Sequence, residues 1–141
     1  MFKIDDCLGF IANKLVQVFQ KAIDRRLAPY GLTSAQFCVL AKLYEEEGLT
    51  QTELASRLYI ENPTLVRTLD RLERAGVIER RRDPDDRRAY RIYLLEKGRQ
   101  LRDTVERIGN EVHEVATVGM SEKDADDLRR FLRKIWENLS D

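Results

Sequence analysis

Side chains equipped to engage another molecule concentrate in the stretch Asn62–Gly76, which reads NPTLVRTLDRLERAG. Asn62 predicts a helix N-cap. Pro63 suits the first helical position, where a missing N–H costs nothing, and Gly76 supplies a left-handed stop. Leu65, Leu69 and Leu72 fall four and three apart and so share one helical face. Thr64, Arg67, Thr68 and Arg71 are expected on the opposite side. A helix with a leucine back and a threonine–arginine front is built to press against something polar and anionic. The planar fork of Arg67 could bond O6 and N7 of a guanine, whereas Thr64, near the helix N-terminus, suits a phosphate.

Other chemistries lack their parts. His113 is the single histidine, with no cysteine pair near it, no Ser–His–Asp ordering and no glycine-rich phosphate loop. The expectation is therefore a protein that is not an enzyme and holds no metal or cofactor. Cys7 and Cys38 are too few for a disulfide or zinc framework. Asp5 and Asp6 would disfavour a Cys7 thiolate, and Cys38, between Phe37 and Val39, reads as core. At 43% hydrophobic and 35% charged residues the chain is globular and helix-rich. No apolar run approaches the roughly 20 residues of a membrane span. The opening MFKIDDCLGF carries acids and no signal-peptide pattern, so a cytoplasmic location is expected.

The elements around Asn62–Gly76 set its use. Thr50-Gln51-Thr52-Glu53 is a capping box opening a short helix with Leu54, Ala55 and Leu58 inward. Only Tyr59-Ile60-Glu61 separates that helix from the next, which forces a steep crossing: a helix-turn-helix. After Gly76, Val77–Arg82 and Arg87–Leu94 flank the breaker-rich Asp83-Pro84-Asp85-Asp86. Tyr90, Ile92 and Leu94 alternate with Arg91 and Tyr93 as in a half-buried strand. A hairpin with Arg87 and Arg88 at its tip completes a winged helix. A narrow A·T-rich minor groove concentrates negative potential and would attract those two arginines. Asp86 is expected to pair with Arg88 or Arg91 and hold the hairpin's shape.

The run from Asn62 to Leu94 resembles the winged helix of the MarR/SlyA family of transcription regulators. Asp86, Arg88 and Arg91 fit that family's D-x-R-x-x-R wing signature, and Pro63–Leu69 is similar to a SlyA-type recognition helix. One departure is Leu95, where members usually place a capping threonine. The resemblance implies a homodimer on double-stranded DNA, acting as a repressor or activator at a near-palindromic operator. Recognition helices would enter successive major grooves, and wings the flanking minor grooves. It also implies a small phenolic or lipophilic anion as a releasing ligand, although Phe10, Asn13, Phe37 and Tyr44 read equally well as pocket or core. In the peroxide-sensing branch the reactive cysteine falls nearer Gly9, and its supporting tyrosines near Ile23 and Ser34, so no redox role is expected of Cys7. The alternative from another class is a winged-helix interaction module docking an acidic protein without sequence-specific DNA binding.

The chain reads as one MarR-like domain over 1–141, mainly α with a small β-hairpin. A DNA-binding lobe spans 32–95, and dimerisation helices span 1–31 and 96–141. Net charge is zero, but residues 50–99 hold 12 basic and 9 acidic side chains against 7 and 10 in residues 100–141. The basic footprint thus coincides with the winged helix. Leu8, Ile11, Leu15, Val18, Phe19 and Ile23 form a wide apolar stripe on a helix over 5–27. Thr33 and Gln36 form a second capping box, opening a helix to about Glu46 with Phe37, Leu40, Ala41 and Tyr44 inward. Glu45-Glu46-Glu47 reads as a solvated turn, and Leu49 as a brief partner of the wing strands. Glu96–Val118 is expected as one long helix, and a last helix after Ser121 presents Leu128, Phe131, Leu132, Ile135, Trp136 and Leu139. So much apolar surface at the chain ends predicts a second copy against it.

Overall fold

Three capping boxes start three of the helices, each closing two backbone donors that would otherwise be orphaned. Thr33 and Gln36 bond reciprocally at 3.3 and 2.9 Å, Thr50 and Glu53 at 3.1 and 3.4 Å, and Ser121 and Asp124 at 3.0 and 3.0 Å. The computed structural model describes residues 1–140. In chain order the elements are α1 (Leu8–Leu27), α2 (Ser34–Glu45), α3 (Gln51–Leu58), α4 (Asn62–Arg74), β1 (Ile78–Arg82), β2 (Tyr90–Leu94), α5 (Glu96–Gln100), α6 (Arg102–Ala116) and α7 (Glu122–Leu139). Single 3₁₀ turns precede and follow α1. The chain forms two compact units, Met1–Gly109 and Asn110–Asp141.

In the first unit Leu54, Leu65, Leu69 and Leu72 from α3 and α4 are fully buried with Leu40 and Leu43 of α2 and with Ile78 and Ile92 of the hairpin. Fully burying a leucine is worth about 1.5–3 kcal/mol, so this cluster is what sets α3 across α4. On α2 the buried residues are Gln36, Val39, Leu40 and Leu43, while Phe37, Ala41 and Tyr44 are only half-buried. The inward face is thus rotated from the expected one. Tyr44 sits at its edge because its hydroxyl donates to the Gly98 carbonyl at 2.6 Å. Burial raises the Tyr44 phenol to about 12, keeping it protonated as that donor. Cys38 is exposed rather than in the core, and burial of its surroundings still pushes its thiol up, away from the reactive thiolate.

β1 and β2 pair antiparallel with Ile78 opposite Leu94, Arg80 opposite Ile92 and Arg82 opposite Tyr90. The other edge of β2 is covered by the segment before α3. Gly48 donates to the Ile92 carbonyl at 2.9 Å, and Ile92 donates to Leu49 at 3.0 Å. Leu49 therefore pairs beside the wing as expected. Beyond β2 the anticipated single helix divides at Leu101, whose N–H bonds the Gly98 carbonyl three residues back. Leu95 takes the N-cap position of α5 with no side-chain bond.

The apolar stripe of α1 is largely uncovered in this chain: Leu8, Ile11, Leu15, Val18 and Phe19 are exposed, Ile23 is half-buried and Leu27 is buried. In the second unit α7 buries Ala125 and exposes Leu128, Phe131, Leu132, Trp136 and Leu139. Among the described residues no helix is long and apolar enough to cross a membrane.

Candidate nucleic-acid interface

Helix α4 starts one residue earlier than its sequence suggests. Glu61 is the N-cap, without a side-chain bond, and Asn62 is already helical, so Asn62 does not cap. The turn before it is made by Tyr59, which adopts the left-handed conformation at φ 57°, the one non-glycine among the described residues to do so. The far end closes as a Schellman motif around Gly76 at φ 73°. Val77 donates to the Leu72 carbonyl and Gly76 to that of Glu73, each at 3.0 Å.

Leu65, Leu69 and Leu72 form the buried back of α4, as their spacing required. Thr68 does not belong to the outward face. It is 8% exposed, and its hydroxyl donates to the Thr64 carbonyl at 3.3 Å. At 3.6 residues per turn Thr68 lies only about 60° from Leu65, within the arc the core covers. The exposed face is instead Thr64, Arg67, Arg71 and Arg74, at intervals of three, four and three. Arg74 was missed although the same spacing identifies it. Among the described residues none of these three arginines makes an ion pair.

The reason lies across the hairpin. Arg80 of β1 reaches the two acids of the helix, bonding Asp70 at 2.6 Å and Glu73 at 2.9 Å through Nη2. Its backbone N–H also donates to Glu73 at 3.1 Å. The hydrogen bonds from Arg80 hold the Glu73 carboxyl below the usual carboxylate range, and those to Glu73 raise the guanidinium. Both acids are thus committed to the wing, and the arginines of α4 keep their donors for a partner. Nothing in the local spacing predicts this, because Arg80 lies in another element.

In the wing, Arg81 stacks over Tyr93 at 4.1 Å and Arg82 over Tyr90 at 5.6 Å, with a bond from Arg82 to the Tyr90 hydroxyl at 3.2 Å. Arg87 and Arg88 stand exposed at the tip, the Arg88 side chain 94% so. Asp86 pairs with Arg88 as expected, accepting its backbone N–H at 2.9 Å with the guanidinium 3.7 Å away. It has no bond to Arg91. The acid that holds the hairpin is Asp83, 8% exposed, which accepts from Arg91 Nε at 3.2 Å and from the Asp85 N–H at 2.9 Å. Arg91 also donates to the Gly48 carbonyl at 2.6 Å, tying β2 to the segment before α3.

The acidic triplet is exposed, as a solvated turn would be, but its acids are also paired. Glu46 pairs with Arg57 at 3.0 Å, and Glu47 accepts the Leu94 N–H at 2.7 Å as well as Arg99 at 3.2 Å. The Glu47 bonds tie the end of β2 and α5 to the segment after α2, and the Glu46 pair ties that segment to α3. Among the described residues no cluster of His, Cys, Asp and Glu is arranged to hold a metal ion.

A steeply crossed helix pair followed by a two-stranded wing, with exposed arginines on the second helix and at the wing tip, defines a winged helix-turn-helix protein. A MarR family model matches residues 32–90. A MarR transcriptional regulator from Methanosarcina mazei Go1 is 32% identical and superposes with a TM-score of 0.86, covering 93% of this chain and 94% of that one. A mutant MarR from E. coli complexed with operator DNA is 27% identical, TM-score 0.83, over 91% and 92% of the two chains. The MepR–DNA complex of S. aureus is 25% identical, TM-score 0.85, over 94% and 98%. This chain belongs to the MarR family of transcriptional regulators.

Proposed function

We propose that the chain binds a near-palindromic operator as a homodimer and regulates transcription from it. The observation that carries this reading is the withdrawal of Asp70 and Glu73 onto Arg80, which leaves Arg67, Arg71 and Arg74 exposed beside the wing-tip arginines. An α-helix fits the major groove, where an arginine fork reads guanine, and arginines on a hairpin suit a narrow minor groove. Two relatives of the same fold were solved with DNA, which supports the same use here. The exposed apolar faces of α1 and α7 support a second copy as their cover, since a soluble monomer rarely shows so much. A small aromatic or lipophilic anion is the class of ligand that the family likeness suggests for release.

Selection of bound duplexes from a random pool tests the reading and yields the operator. On that operator Arg67→Ala should cost ~1–3 kcal/mol and relax preference at one position per half-site. Arg88→Ala should weaken binding across many sequences and flatten the salt dependence. The two patterns should repeat about one duplex turn apart, ~34–36 Å, because a dimer carries each residue twice. If both substitutions leave affinity within about twofold, docking of an acidic protein partner on the wing face replaces this reading. A monodisperse monomer at micromolar concentration by light scattering would refute the dimer.

A further inference from the structure

We propose that Arg80 is a positioning residue for DNA reading, clamping wing to recognition helix so that Arg67 and Arg88 meet the duplex as one rigid unit. The inference rests on the DNA-binding reading above and concerns a residue that need touch no DNA.

Three observations carry it. Arg80 is the one side chain of β1 that bonds α4, and it does so at two sites a helical turn apart, Asp70 and Glu73. Its backbone N–H joins the same Glu73 carboxylate, so strand and side chain are both fixed to the helix. Finally, Arg80 lines an open groove of about 610 Å³ with Val66 and Glu73 of α4 on one side and Arg88 and Tyr90 of the wing on the other. Core packing of Ile78 and Ile92 with the α4 leucines fixes the base of the hairpin, but an open groove gives its outer part no such packing. In the first unit the clamp spans that gap near its base, while the Arg91 contacts to Asp83 and Gly48 hold the opposite strand. Beyond that packed base, the outer part of a two-strand hairpin held on one edge alone would pivot. Held on both, it presents its tip at a fixed distance from α4. Major- and minor-groove contacts made together demand that distance, because misplacing one contact set forfeits part of its binding.

Charge and geometry make opposite predictions for removing the acids, and this separates the clamp from simple electrostatics. Asp70→Ala with Glu73→Ala removes every acceptor of the clamp and makes the face more positive, which by phosphate attraction alone would tighten DNA binding. Loss of the clamp predicts weaker binding instead, confined to what the wing contributes.

The test is a set of double-mutant cycles on the selected operator, using the full chain. Arg88→Ala is measured in the parent, in Arg80→Met, and in the Asp70→Ala/Glu73→Ala variant, with Arg67→Ala measured in the same three backgrounds. Contacting or mechanically coupled sites are non-additive, whereas independent sites add to within about twofold in affinity. The expected result is that Arg88→Ala costs at least about threefold less in both unclamped backgrounds, while the cost of Arg67→Ala stays within about twofold. A merely structural role for Arg80 would change both costs alike or neither. Additive Arg88→Ala effects, or tighter binding by the Asp70→Ala/Glu73→Ala variant, would overturn the clamp and leave the DNA reading standing. Should Arg80→Met fail to fold, the acid variant, which keeps Arg80, carries the same test. If the parent selects no duplex, the DNA reading fails and the clamp as a DNA-positioning device falls with it. Amide exchange over residues 83–89 without DNA then reports alignment alone: faster exchange in the acid variant supports a mechanical clamp, and unchanged exchange refutes it.

Discussion

Asp83 and Asp86 differ by three positions in one loop, yet the structure gives them very different burdens. Asp83→Ala removes a carboxylate that accepts from Arg91 at 3.2 and 3.1 Å and from the Asp85 N–H at 2.9 Å, in a site where the acid is 8% exposed. A hydrogen bond to a charged group contributes about 1.5–3 kcal/mol, and truncating one partner leaves the other unpaired. Arg91 is 35% exposed and keeps its bond to the Gly48 carbonyl, so water and that contact absorb part of the loss. The expected cost is ~2–3 kcal/mol for Asp83→Ala. Asp86→Ala loses one exposed bond to the Arg88 N–H and a 3.7 Å approach of charges, for about 0.2–1 kcal/mol. Urea unfolding at one fixed protomer concentration measures both, since subunit association would otherwise shift the midpoints. In operator binding, Asp83→Ala should mimic loss of the wing while retaining the base preference set by Arg67. Equal destabilisation by the two substitutions, or a larger effect of Asp86→Ala, would refute the assignment of the hairpin's anchor to Asp83.

Gly98→Ala sets two effects against each other: helix propensity favours alanine by about 1 kcal/mol, but the new Cβ would collide with the Val77 carbonyl oxygen and lie 3.0 Å from Leu94. That oxygen accepts the Leu95 N–H at 3.0 Å, so it cannot retreat freely. Overpacking of ~1–3 kcal/mol together with a weakened hydrogen bond should win, giving a lower thermal midpoint; a midpoint at or above the parent's would contradict the tight junction. For pH, the Glu73 carboxyl is held low by Arg80, so its contribution is complete above the ordinary glutamate range and is lost as pH falls through the lowered value. Acid titration of stability should therefore be shallower in Glu73→Gln than in the parent. The difference should be small, because the carboxylate is 41% exposed, and identical acid limbs would rule it out.

What the sequence determined by itself is whatever depends on neighbours a few residues apart. The capping boxes at Thr33 and Thr50, the leucine back of α4, the stop at Gly76 and the strand at β2 all follow from local geometry, and the structure places each there, although Tyr90 at the outer end of β2 is exposed where its alternation with Ile92 and Leu94 put it inward. The wing-signature residues Asp86, Arg88 and Arg91 were legible only through the family resemblance, whereas the exposure of Arg67 and Arg71 followed from helical spacing. Tertiary structure decided how these pieces are joined. Thr68 turned inward because the core covers a wider arc of α4 than three leucines imply. Arg91 chose Asp83 over Asp86 because hairpin register, not spacing along the chain, sets which acid lies beside it. Arg80 bonded Asp70 and Glu73 across two elements, and Glu47 reached the Leu94 N–H from 47 residues away. Charged side chains are long and find partners through space, so an arginine-rich sequence shows how many cations there are but not which are already spent. Only the fold separates Arg80, Arg81 and Arg91, held by acids and rings, from Arg67, Arg71 and Arg74, which remain open to a partner.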